Sequence, residues 1–68
     1  MKDDAKKLGE NLRNIRTSKN ITQTEFAEKL GVDKSFVSNI ENGKTNPTLS
    51  TITNLAQTLG VSTNELLK

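Results

Sequence analysis

Apolar residues recur at helical spacing in five stretches of the chain. Leu8, Leu12 and Ile15 share one stripe of a helix predicted over residues 5–19, with Asp3 or Asp4 as its cap. Phe26, Ala27 and Leu30 fall on one face of a helix over 23–30, and Val37 and Ile40 on one face over 34–42. Leu49, Ile52, Leu55, Ala56 and Leu59 line a helix over 49–59, capped by Thr48. A short helix over 63–67 follows. No segment alternates with a period of two, so no strand is expected.

The breaks between these stretches share one phrase. A residue that tolerates positive φ is followed by an apolar residue and then a capping residue: Asn20-Ile21-Thr22, Gly31-Val32-Asp33 and Gly60-Val61-Ser62. Such a phrase ends one helix in a left-handed turn and caps the next. Thr22 with Glu25 and Ser62 with Glu65 have capping-box spacing, and Asp33 stands at a third cap. The apolar residue before each cap meets another five positions on, pairing Ile21 with Phe26, Val32 with Val37 and Val61 with Leu66. Gly43 ends the third helix, and Lys44 to Pro47 form a loop.

Five helices this short must share one core, so the expected fold is all-α, a compact five-helix domain over residues 1–68. The connection between the second and third helices is only Gly31-Val32-Asp33, which favours a steep helix-turn-helix crossing. Leu, Ile, Val and Phe fill a quarter of the chain, above the roughly 20% below which disorder prevails. There is no Cys and no His, which removes the usual thiolate and imidazole metal ligands and the usual neutral-pH acid or base. Neither enzyme chemistry nor a cofactor is therefore expected. The net charge of +2 permits nucleic acid as a partner without demanding it. No apolar run is long enough to span a membrane and no export signal is seen, so a cytoplasmic location is expected.

Placement of polar groups on the third helix carries more information. At 100° per residue, Lys34, Ser38, Asn42, Ser35 and Asn39 fall within about 140°, with no carboxylate among them. Phe36, Ile40, Val37 and Glu41 take the opposite side. A plain solvated face would fit the same wheel, but such faces usually carry Glu and Lys, which favour helix. Ser and Asn suit a helix that lies in a groove and exchanges hydrogen bonds with base edges, Asn with adenine, Lys with guanine and Ser with either. Gln23, at the start of the second helix, could hydrogen-bond a phosphate there, and Lys44, Thr45 and Asn46 could hold the neighbouring backbone. Glu25 and Asp33 would be occupied by their caps, and Glu28 would lie on the far side.

The run from Gln23 to Gly43 resembles the phage-repressor and Cro class of helix-turn-helix proteins, of the xenobiotic-response-element type. It has Gln23 at the start, small Ala27 at the crossing, Gly31 in the turn, apolar Val37 and Ile40, and the ending Ile40-Glu41-Asn42-Gly43-Lys44, then Pro47-Thr48-Leu49. The likeness spans about residues 8–67. It implies a sequence-specific regulator of transcription, most simply a repressor, with the third helix in the major groove of double-stranded DNA. By position it implies that Gln23 binds phosphate and orients its neighbours. It likewise implies that Lys34, Ser35, Ser38 and Asn39 read bases, and that Asn42, Lys44 and Asn46 approach the backbone. It also implies a salt bridge between Arg16 and Glu41. Phe36 stands where many relatives have Tyr, and either packs at the core edge, the favoured reading, or touches a thymine methyl. One helix reads few base pairs, so a homodimer on a pseudo-palindromic operator is expected. Leu66 and Leu67 are its candidate interface, with Leu66 also turned inward beside Val61. RNA polymerase is a further candidate partner, and a protein-interaction adaptor is the alternative function.

Overall fold

The computed structural model describes residues 2–68, the side chains of Lys2 and Asp3 excepted. Its elements are α1 (Lys2–Ser18), α2 (Gln23–Leu30), α3 (Lys34–Glu41), α4 (Leu49–Leu59) and α5 (Thr63–Leu67). The second, fourth and fifth helices have the expected bounds. The first begins three residues earlier than expected, so Asp4 lies inside α1 instead of capping it, and the expected Asp3 side-chain cap lies outside the described residues. The third ends at Glu41, one residue early, with Asn42 as its C-cap. Among the described residues no helix is long and apolar enough to cross a membrane.

One terminating device is used four times. Asn20, Gly31, Gly43 and Gly60 all have φ between 60° and 76°. At each, paired backbone bonds close the finished helix. Asn20 N–H donates to the Thr17 carbonyl and Ile21 N–H to that of Arg16. Gly31 and Val32 bond to Glu28 and Ala27, Gly43 and Lys44 to Ile40 and Asn39, and Gly60 and Val61 to Gln57 and Ala56. This is the Schellman motif, in which a left-handed residue satisfies carbonyls that would otherwise be orphaned.

The starts are less uniform. Thr22 forms the complete box, its hydroxyl accepting from the Glu25 N–H at 3.0 Å while Glu25 accepts from the Thr22 N–H at 2.9 Å. Thr48 accepts from the Thr51 N–H at 3.3 Å. Such a cap stabilises a helix by typically ~1 kcal/mol. The expected caps at Asp33 and Ser62 do not form through the side chain. In both, the N–H that a side chain would take is bonded to the capping residue's own carbonyl, Phe36 to Asp33 and Glu65 to Ser62, each at 3.0 Å. Glu65 turns instead to Lys68, 3.3 Å away.

Leu8, Leu12, Phe26, Ala27, Val37, Ile40, Ile52, Leu55, Ala56, Leu59 and Leu66 make one core, with Ile15, Ile21, Leu30, Val32 and Val61 packed on it. Helix α1 lies on α3 and α5, α2 on α3 and α4, and α4 on α5. Leu49 departs from its expected place on the core face. It is 66% exposed, because the first turn of α4 projects past the cluster. Gly9 sits where α1 crosses α3. A Cβ there would lie 2.6 Å from the Glu41 carbonyl oxygen and closer still to that of Ile40.

Gly9→Ala should therefore destabilise the fold by about 1–3 kcal/mol through overpacking, despite alanine's better helix propensity. A urea midpoint equal to the parent's would show that α1 can retreat from α3 without cost. A second expectation concerns acid. The Thr22 backbone N–H, then the Thr22 hydroxyl, hold the Glu25 carboxyl below its ordinary value. Its stabilising contribution is thus complete above the ordinary carboxylate range and vanishes as pH falls through the lowered folded value. The stability gap between the protein and Glu25→Gln, followed by thermal unfolding across pH, should close on acidification.

Candidate nucleic-acid interface

The two faces of α3 separate as its sequence requires. Val37, Ile40 and Glu41 are buried, while Lys34, Ser35 and Asn39 are exposed and Ser38 is half-buried. Asn42, also exposed, donates its amide to the Ser38 hydroxyl at 3.3 Å, so these two predicted contacts form a pair. The Lys44 N–H to Asn39 carbonyl bond, 2.9 Å, fixes the start of the following loop to the helix. Asn46 lies across a shallow groove from Asn39, with Phe36 and Pro47 in its walls. Lys34, Ser35, Ser38, Asn39, Asn42, Lys44 and Asn46 thus belong to one helix and the loop it anchors.

Phe36 corrects an expectation. It does not join the core but is 39% exposed. Helix α4 packs chiefly on α2 and α5, which leaves a cleft beside α3, and the ring lies in that cleft between Asn39 on one side and Leu30 on the other. Asp33 is a second correction. Without its side-chain cap, this exposed carboxylate stands at the entrance to α3, next to Lys34. It complements the helix dipole and sets one negative charge at the edge of an otherwise carboxylate-free face.

The back of α3 is held by a buried ion pair. Arg16 Nε donates to Glu41 Oε2 at 2.5 Å and Nη2 to Oε1 at 3.0 Å, with the side chains 9% and 1% exposed. Arg16 Nη1 also donates to the Ile21 carbonyl at 2.6 Å. Gln23 Nε2 donates to Glu41 Oε1 at 3.0 Å. A carboxylate only accepts, so this bond decides which end of the Gln23 amide faces inward. Gln23 is half-buried, with its Nε2 turned to Glu41 and its Oε1 left for the outside. Three helices therefore meet at a single carboxylate, and its arginine partner also holds the turn after α1.

Leu66 is fully buried in the core, which removes it from the expected dimer interface. Its place follows from the apolar step after the Gly60 turn, which seats it with Val61 against the rest of the cluster. Leu67 is 52% exposed. A contact with no sequence signal holds this end in place. The Asn11 amide on α1 donates to the Leu66 carbonyl at 2.9 Å and to that of Lys68 at 3.1 Å, capping α5 from fifty-five residues away.

Residues 12–66 match the family model described as helix-turn-helix. Over 65 residues the chain is 40% identical to an uncharacterised HTH-type transcriptional regulator of Sinorhizobium fredii, covering 96% of this chain and 84% of that one. It is 36% identical to the ImmF control region 10 kDa protein of Bacillus phage phi105, covering 93% and 70%. The crystal structure of the restriction-modification controller protein C.AhdI from Aeromonas hydrophila superposes with a TM-score of 0.88 at 38% identity, covering 94% of this chain and 97% of that one.

Removing one partner of the buried pair should cost far more than removing both. Glu41→Ala strands the Arg16 charge and should lower the unfolding free energy by about 3–5 kcal/mol. The double substitution Arg16→Met with Glu41→Leu should recover most of that loss. Denaturant unfolding of the three proteins checks this, and a double variant as unstable as the single one would refute a stranded charge as the cause.

Proposed function

This chain belongs to the helix-turn-helix family and is a DNA-binding transcriptional regulator, and from that premise we propose how it acts. The domain over residues 1–68 lays α3 in the major groove of double-stranded DNA. Lys34, Ser35, Ser38 and Asn39 read base edges. Gln23 meets phosphate through its main-chain N–H at the start of α2, because its side chain gives Nε2 to Glu41 and turns outward an oxygen that only accepts. Asn42, Lys44 and Asn46 hold the backbone at the end of α3. The observation that carries this reading is the exposed, carboxylate-free side of α3, backed by an ion pair that fixes the helix in place. Small hydroxyl and amide groups give up helix propensity there and gain hydrogen-bonding ends that fit a groove.

The face has no Arg, so no guanidinium fork to guanine is available. Selectivity then depends on bridging water and DNA shape as well as on direct contacts. Two copies on a pseudo-palindrome supply the affinity that one short helix lacks. The surface for self-association includes Leu67 and the stretch from Thr48 to Asn64, which contains no charged residue and exposes Leu49. Interface centres are depleted in charge in the same way. The regulator works in the cytoplasm by occupying an operator, and would act as an activator only where it touched RNA polymerase from upstream.

Selection of bound duplexes from a random pool tests the whole scheme. It should return one motif with two-fold symmetry, its half-sites a helical turn apart (~34 Å). Asn39→Ala should relax preference at one base pair per half-site. Lys44→Ala should weaken all duplexes alike and flatten the salt slope by about one unit. Identical effects of the two variants on every sequence would overturn the division into readers and clamps. Salt-insensitive capture of a protein in place of DNA would favour the adaptor.

A further inference from the structure

Lys6 plays no part in the site built so far, yet the fold sets it beside that site. Gly43 turns the chain out of α3 at φ 72°, and a Cβ on it would lie 3.0 Å from the Lys6 Cα and 3.4 Å from its Cβ. The second turn of α1 therefore abuts the corner from which Lys44 projects. Since the Lys44 N–H is bonded to the Asn39 carbonyl, both lysines have fixed stations relative to the reading face. Lys6, Gly9 and Arg13 recur at helical spacing, so they share the side of α1 that faces α3. Lys6 and Lys44 are exposed, and neither is ion-paired to a described residue. Among the described side chains, Glu10, one turn after Lys6, is the nearest carboxylate along that face, and it too is exposed. Lys7 differs, because it is turned about 100° round α1 and borders a groove with Asp4, Leu66 and Leu67 on the α5 side.

We propose that Lys6 is a second phosphate contact beside Lys44, taking the neighbouring phosphate on the strand that passes the end of α3. The inference rests on the DNA-binding reading above. Phosphates on one strand recur every ~3.4 Å along the duplex axis, so two cations carried by touching backbone segments meet successive phosphates. A lysine suits this task, being a compact charge on a flexible stem that needs no fixed approach angle. The contact lengthens the backbone clamp on the side of α3 where the loop otherwise offers one cation and two amides.

The test is equilibrium binding to a short fluorescein-labelled mixed-sequence duplex, followed by anisotropy across a range of KCl. Lys6→Gln and Lys44→Gln should each flatten the plot of log affinity against log salt by about 0.9, and the double variant by about twice that. Lys7→Gln removes the same charge from the α5 side of α1 and should leave the slope unchanged. An unaltered slope for Lys6→Gln beside a reduced one for Lys44→Gln would overturn the proposal. So would equal losses from Lys6→Gln and Lys7→Gln, which would reduce the effect to net charge. A parent protein whose duplex binding had no salt dependence would overturn the DNA-binding reading itself. Glutamine is a good helix former, so α1 should survive each change, and circular dichroism checks that it does.

Discussion

The Glu41 carboxylate is the point on which the proposed reading surface depends. It belongs to α3 but accepts hydrogen bonds from Arg16 on α1 and Gln23 at the start of α2, and the same arginine holds the Ile21 carbonyl between them. A buried charge is unfavourable unless each of its oxygens is satisfied, and here both are. The arrangement therefore selects one relative placement of three helices and penalises the others. Apolar packing alone would tolerate small rotations of α3, whereas a two-pronged guanidinium contact does not. The groups that face outward inherit that definition, since they stand on the same helix within two turns of it.

Much of this was legible in the sequence because its punctuation is chemically explicit. Asn20, Gly31 and Gly60 mark helix ends because the turn needs a left-handed residue, and each adopts one. The core followed from apolar spacing wherever a helix had neighbours on both sides. Spacing failed where neighbours were missing. Leu49 lies on the apolar stripe of α4 but outside the core cluster, and Phe36 faces a cleft that exists because α4 leans on α2 and α5. The Asp33 and Ser62 side-chain caps failed for a local reason, since a backbone carbonyl reached the waiting N–H first. Leu66 was half read. Its inward direction was visible, but only the assembled core shows that nothing of it remains for a partner.

The outward face of α3 was legible as a set of residue types, and its organisation was not. The Ser38–Asn42 pair and the inward-turned Gln23 amide depend on geometry that a helical wheel does not carry. The neighbourhood of Lys6 and Gly43 depends on how α1 crosses α3, and sequence distance hides it. Asn11 teaches the same lesson at the other end of the molecule, where one amide closes the last helix from across the fold.

Gly9 has a wider implication. Where α1 meets α3 the spacing is fixed by main-chain atoms, which every residue possesses, and not by the bulk of side chains that evolution can exchange. The outward residues of α3 can then be rewritten without moving the rod that carries them. One chassis can accept many keys, so under the proposed mode of reading a change of target sequence should require few substitutions and no rebuilding beneath them.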